Sequence, residues 1–384
     1  MTALIEKAGR GAAGFFLQFG GQGARWLGEL GRLYEDPLLK DYMDCCFDAL
    51  DQEVQKTGDH PLLSHSLEPL KWLKDPAGAP SEDYLEIASV SIVMIQITQL
   101  AHYERLRKSG YTSELLSRFV RSASGHSQGL VSTCFAAMCL DGSEYYDMLS
   151  RFTKYAFHLG LSCQSVYPYP FPSIEEISQS KKTDEPFPSP MAAFVGGSHE
   201  FIEDLVSMFN KGKNPEDRVY VSLYNSPSNR IVSAKRESHI AFHEFAKDML
   251  LEKEIKFIYL QASCPFHSPL MPGVDAALDR VLDEINFRIS GNSLKYPVYS
   301  FFDKKDLREV DDLGIRLGQD MSVNTLYWEK SLAPAMADQN VTHILDFGPG
   351  KTSKRLTSEI FEKEGREIEI LSAALPKDFK ALIQ

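Results

Sequence analysis

The stretch RFVRSASGHSQGLVSTCFAAMCL at residues 118–140 constrains the fold of this chain more than any other. RFVRSAS reads as a strand and LVSTCFAAMCL as an apolar, buried helix, with only GHSQG between them. A strand can turn into a helix so abruptly only where small residues flank the turn, because side chains there would clash with the crossing backbone. Gly125, His126, Ser127, Gln128 and Gly129 fit G-x-S-x-G, the turn that lifts a serine hydroxyl clear of a sheet. The helix start beside it offers N–H groups and the positive end of a dipole, which favour negative charge developing near Ser127. The plainer alternative is a glycine-rich turn that happens to contain a serine.

The rest of the chain supplies a sheet in pieces. GFFLQFGGQG reads as a short buried strand over 15–19, ended by Gly20, Gly21 and Gly23. Two helices follow with a break at Pro37, then a loop and a long helix that is mostly apolar on all sides over 92–97 and is expected to be buried. The proline-bearing stretch 167–190 reads as a linker. After it, MAAFVGG, SHEFIEDLVSMFN, VYVSLYN, NRIVSA, RESHIAFHEFAKDML and IKFIYL give the order βαββαβ, the ferredoxin-like pattern. YPVYSFF and VTHILDFGPG read as two returning apolar strands. The expected fold class is α/β: a large α/β-hydrolase-like subdomain with a parallel sheet over 1–187 and 263–384, and a small ferredoxin-like subdomain inserted at 188–262. A chain of 384 residues is long enough for both.

Charge and cysteine usage narrow the function classes. A net charge of −12 opposes nucleic-acid binding, which needs a concentrated basic surface. The six cysteines (Cys45, Cys46, Cys134, Cys139, Cys163 and Cys264) form no CxxC pair, zinc spacing or disulfide framework, which points to a reducing, cytoplasmic compartment. The first residues lack a signal-peptide layout and no apolar run is long enough to span a bilayer, so no membrane partner is expected.

A serine hydroxyl is a poor nucleophile without a base in hydrogen-bond reach. Among ten histidines, His60, His65, His239 and His243 read as surface residues. His267 stands apart in ASCPFHSPLM, just after the last strand of the inserted unit, where Pro265 and Pro269 stiffen the backbone. His126 adjoins Ser127 in the turn and reads as packing.

Taken in order, FGGQG, GHSQGL, NSPSNRIVSA, CPFHSPLM and THILDFGPG resemble the acyltransferase family of fatty-acid and polyketide synthases, over nearly the whole chain. QLAHY, PVY followed by FD and DLR, and THILDFGPG are most similar to the acetyl-type acyltransferase region of the fungal fatty-acid synthase β chain. Its close relatives are the starter-unit:ACP transacylase domains of fungal non-reducing polyketide synthases. Met1, a few residues before the first strand, favours the polyketide position. A serine at the elbow, where many starter-unit domains carry cysteine, favours the fatty-acid one. The resemblance implies Ser127 as nucleophile and His267 as general base, then general acid. It implies an oxyanion hole from the backbone N–H groups of Gln22 and Gln128, with Gly20, Gly21 and Gly23 letting backbone approach the carbonyl. The backbone carbonyl of Asn324, four residues before Trp328, would orient His267, leaving the Asn324 side chain with little to do. Asn225 and Gly348 match framework positions near the site. No metal and no permanently bound cofactor are implied. Acyl-CoA and the phosphopantetheine arm of an acyl carrier protein would be substrates, and the carrier protein and an acyl-donor synthase partners, within a larger multidomain synthase.

Malonyl-selective members pair the substrate carboxylate with an arginine, and aligning CQSVYP with the family puts Leu159 at that position, with Arg151 and Lys154 one to two turns earlier. A malonyl carboxylate left unpaired against leucine would cost several kcal/mol, so the expected substrate is neutral: acetyl or a longer acyl chain. An acidic carrier would need a local basic patch, either Lys351, Lys354 and Arg355 or Lys304 and Lys305. Two other classes compete. One is an α/β-hydrolase-type esterase or thioesterase using His343, and the other is a non-catalytic carrier-docking module.

Overall fold

The computed structural model describes residues 2–23, 25–63, 67–168 and 187–384. Among them run β1 (Phe15–Phe19), β2 (Val120–Gly125), β3 (Met191–Val195), β4 (Tyr220–Ser226), β5 (Asn229–Ser233), β6 (Lys256–Tyr259), β7 (Leu326–Tyr327), β8 (His343–Asp346) and β9 (Glu369–Ser372), in two sheets. The first sheet, ordered β2-β1-β8-β9, is parallel throughout. β1 and β8 are buried at every position, as central parallel strands covered on both faces must be, which is why FFLQF shows no polar alternation.

The buried polar residues of this sheet satisfy one another. Gln18 donates through Nε2 to Asp346 Oδ1 at 2.9 Å and accepts from the Thr357 hydroxyl at 2.8 Å. The Ser353 and Ser372 hydroxyls reach the two Asp346 oxygens at 2.5 and 2.6 Å. Burial pushes the Asp346 carboxyl up, and these donors pull it back. The resulting knot ties β1, β8 and β9 together at their carboxyl ends.

Ala88–Lys108 forms a helix that is buried along most of its length and packs against the Gly142–Val166 helix. Three expectations need correction. Arg118 and Phe119 end a helix, Ser113–Phe119, that the Thr112 hydroxyl caps by accepting from the Leu115 N–H, so the strand before the elbow starts only at Val120. YPVYSFF is no strand. It makes a single parallel bridge, Val298 to Ala123, because Pro297 has no N–H to give and the chain turns at 301–303. A short helix, Ala3–Gly9, also precedes β1 without having been foreseen.

The second sheet runs β6-β3-β5-β4-β7. Its first four strands are antiparallel neighbours in the order that a βαββαβ unit produces. Helices His199–Asn210 and Arg236–Glu252 cover one face, packing Phe209 and Phe242 onto Phe194 and Val232. Met191, Ala193, Leu223 and Ile231 join the main core. β7 pairs in parallel with β4 although it lies far outside 188–262, so that range does not contain the whole sheet. Of the stretch read as a linker, 169–186 falls outside the described residues. Among the described residues no helix is long and apolar enough to cross a membrane.

Candidate active site

The elbow is built by clearance. A Cβ on Gly125 would lie 2.0 Å from the Leu130 nitrogen, and one on Gly129 would lie 2.3 Å from the carbonyl oxygens of both Phe19 and Gly20. With that space open, the chain reverses at Ser127 in the left-handed region, φ +53°, which non-glycine residues seldom adopt. The His126 N–H donates to the Phe19 carbonyl at 2.8 Å, and the Gly129 and Leu130 N–H groups close the turn on His126 and Ser127 at 3.0 Å each.

His267 reaches Ser127 from the segment after β6. The Ser127 hydroxyl and His267 Nε2 are 2.8 Å apart, and His267 Nδ1 lies 2.9 Å from the Asn324 carbonyl oxygen. A carbonyl only accepts, so Nδ1 carries the proton and Nε2 is left to accept from Ser127. Burial pulls the His267 pKa down to about 4, with the Asn324 carbonyl opposing and nearby His126 adding to the fall. The imidazole is therefore neutral at pH 7. His267 is itself left-handed, φ +56°, and its ring packs edge-on to Phe301 at 5.4 Å.

The Gly20–Gly23 turn lies against this pair. A Cβ on Gly21 would meet His126 Nδ1 at 2.8 Å and the Ser127 Cβ at 3.3 Å. Gln99 anchors the turn, donating to the Gly20 carbonyl at 2.6 Å and the Gly348 carbonyl at 3.1 Å, while Gly20 N–H also reaches the Gly348 oxygen at 2.8 Å. The Gln22 side chain is held by Ser91 Oγ at 2.7 Å. Among the described residues neither the Gln22 nor the Gln128 backbone N–H donates to a protein acceptor, which leaves both available to a ligand.

Other candidates fall where the contacts put them. His126 donates through Nε2 to Asn225 Oδ1 at 2.8 Å, packs on Trp328 at 5.3 Å, and so joins the elbow to β4. His343 sits in β8 between Thr342 and Glu369, away from Ser127. His239, read as a surface residue, is fully buried on the inner face of its helix and bonds the Ser189 carbonyl at 2.7 Å. His65 lies outside the described residues. Leu159 is fully buried, while Arg151 pairs with Asp147 and Lys154 with Glu53 and Gln52, so neither cation is aimed at the serine. The Asn324 side chain is not idle: its Nδ2 donates to Asp320 Oδ1 at 2.8 Å. Asp320 and Arg316 were missed. Their i, i+4 spacing announces an ion pair, but nothing local says that the pair backs the histidine. Met321 was missed too, its sulfur 3.7 Å from Ser127 Oγ.

The family model described as "Starter unit:ACP transacylase in aflatoxin biosynthesis" matches residues 17–267, from β1 through the elbow to His267. The chain belongs to the starter unit:ACP transacylase family. It is similar to the "Fatty acid synthase subunit beta" of Saccharomyces cerevisiae, 27% identical over 97% of this chain and 19% of that protein. It is also similar to the "Fatty acid synthase beta subunit aflB" of Emericella nidulans, 27% identical over 91% of this chain and 17% of that protein. This transacylase-family chain thus spans about a fifth of the length of these two relatives. Among solved structures, "PlMCAT:AntF (holo): type II PKS acyl-carrier protein in complex with its malonyl-transacylase" aligns with a TM-score of 0.65 at 17% identity, covering 96% of this chain and 99% of that one. At that identity the likeness is one of fold, and it agrees with the expected α/β class.

Proposed function

We propose that this chain carries an acyl group from an acyl thioester to the phosphopantetheine thiol of an acyl carrier protein, through an ester on Ser127, to supply a starter unit. The Ser127–His267–Asn324 relay carries this reading. His267 Nε2 takes the hydroxyl proton as Ser127 Oγ attacks the thioester carbonyl. The Gln22 and Gln128 N–H groups stabilise the oxyanion. The C–S bond then breaks and the proton passes from His267 to the departing thiolate. The carrier thiol attacks the ester by the reverse sequence, giving its proton to His267 and returning Ser127. Family membership favours transfer to a carrier over hydrolysis. The similarity to fatty-acid synthase β subunits supports a second reading, an acetyl-type transferase region of such a synthase, with the same chemistry.

Leu159, with Arg151 paired to Asp147 and Lys154 to the buried Glu53, supports a neutral acyl group. Intact-mass measurement after exposure to acetyl, butyryl, hexanoyl, octanoyl and malonyl thioesters tests both points. One neutral acyl adduct is expected on the wild type and none on Ser127→Ala, and Leu159→Arg should depress neutral loading. An equal adduct on Ser127→Ala refutes the acyl-serine step, preferential malonyl loading refutes the specificity, and release of free acid in place of transfer to a thiol favours a hydrolase.

A further inference from the structure

We infer that Asp320, clamped by Arg316, is a positioning residue for His267: it holds the side chain of Asn324 so that the Asn324 carbonyl stays on the imidazole Nδ1. The catalytic meaning of this link rests on the acyl-serine reading above; the link itself rests on geometry. The Leu313–Ser322 helix puts Arg316 and Asp320 one turn apart on one face. Asp320 is fully buried. Its Oδ2 accepts from Arg316 Nε at 2.9 Å and from Ser300 Oγ at 3.0 Å, and its Oδ1 accepts from Asn324 Nδ2 at 2.8 Å. Donors converge on both oxygens, the surroundings of an ionised carboxylate. Arg316 is held in turn, its Nη2 donating to Ser300 Oγ at 2.8 Å and to Asp303 Oδ1 at 2.7 Å.

A buried ion pair adds little net stability over apolar packing of the same volume, so stability alone is a weak reason for this one. Asn324 supplies another reason. It lies just past the helix end, its N–H bonded to the Gln319 carbonyl at 3.1 Å, its amide to Asp320, and its carbonyl to His267 Nδ1 at 2.9 Å. Serine hydrolases of the triad type set a carboxylate directly on that nitrogen. Here the Asp320 carboxylate bonds the Asn324 side-chain amide and acts on the imidazole through that residue's backbone carbonyl. A carbonyl holds an imidazole more weakly than a carboxylate does, so the ring is only as well placed as peptide 324.

Asp320→Asn turns an NH2 group toward donors, and Asn324→Ala removes the link while keeping the carbonyl. In each variant acylation by the thioester should slow about ten- to hundredfold, the scale of a misplacement near 1 Å. The double variant should be no slower than the slower single, because the two changes break one chain of contacts. The His267 Nδ1–H proton resonance should move in both singles, a signature that a general loss of stability would not give. If Asp320→Asn fails to fold with Arg316 left unpaired, Asn324→Ala decides alone. An unmoved resonance overturns the inference, as does multiplicative slowing in the double variant. A wild type that forms no adduct, while the resonance moves as expected, refutes the acyl-serine reading and leaves the positioning link standing.

Discussion

Ser127 and His267 adopt nearly the same backbone, φ +53° and +56°, yet the two turns are held by different means. At Ser127 most of the means are near in sequence: Gly125 clears Leu130 and the closing hydrogen bonds come from 129 and 130, while Gly129 and the His126 N–H fit the turn against Phe19 and Gly20 at the end of β1. At His267 several are distant. Ser233 Oγ donates to the Phe266 carbonyl at 2.8 Å, the Ser268 N–H reaches the Ser322 carbonyl at 3.1 Å, and Phe301 lies against the ring. Ser127 is thus shaped by its own turn and the adjoining end of β1, and His267 by contacts from several parts of the fold. The nucleophile tolerates little change next to it in sequence, whereas the base is vulnerable through residues far away.

The largest effect should come from the base itself. His267→Ala should slow acylation of Ser127 by roughly 10²–10⁴, measured by quenched intact mass, because the hydroxyl loses its proton acceptor. Wild-type rates would end the pairing of the two turns. Next, Gly129→Ala should cost about 3 kcal/mol of unfolding free energy and slow adduct formation less than His267→Ala does, since two carbonyl oxygens must give way. Ser233→Ala, which removes one hydrogen bond behind the base, should cost about 1 kcal/mol and slow acylation modestly. Equal costs in denaturant titrations would break the contrast.

A pH series sharpens it. The acid limb of acylation should lie well below the ordinary histidine range, toward about 4, because His267 must be neutral to act and burial keeps it so. Stability should follow the same sign. His126, His239 and His267 all have folded pKa values lowered to about 4 by burial, so the unfolded chain takes up protons first as pH falls from about 6.5. Stability is full above about 6.5 and is lost toward 4, by up to about 1.4 kcal/mol per pH unit for each histidine. A flat stability profile over that window would contradict their burial.

The smallest effect is expected at the surface. Lys354 is neutralised by Asp378 at 2.6 Å, which weakens the cluster with Lys351 and Arg355 beside the Gly348 turn. On the base side, exposed Lys304 and Lys305 share a patch with Lys330, which lies 3.3 Å from the centre of the Tyr327 ring and whose pKa is lowered by burial and by Lys304. Lys304→Glu with Lys330→Glu should raise the KM for carrier protein several-fold and leave transfer to a small neutral thiol unchanged. A matching rise for the small thiol, or the same effect from Lys351→Glu, would remove the preference for the base side.

How far the sequence reached follows the same contrast. The elbow, the glycine turn after β1, the buried helix Ala88–Lys108 and the βαββαβ order were legible because each is written in neighbouring residues: spacing, glycine placement, periodicity. His267 was singled out by its flanking prolines and by family resemblance, not by any local requirement for a base. His239 was misread because its helix shows polar neighbours in sequence while its inward face does not reveal itself until the sheet is in place. YPVYSFF carried strand-forming residues, but pairing is a property of two segments, and Pro297 with the turn after it left only isolated bridges, Val298 to Ala123 and Tyr299 to Asp306.

The sequence by itself determined that a serine would stand in a tight turn between a parallel strand and a helix, since glycines at 125 and 129 flank it. Tertiary structure decided which histidine faces it, that a peptide carbonyl at 324 orients that histidine, and that the carboxylate of Asp320 stands behind the carbonyl. Hydrogen bonds require atoms about 3 Å apart, and residues 127, 267 and the pair 320 and 324, which lie in separate segments of the chain, meet that condition only after those segments have packed together.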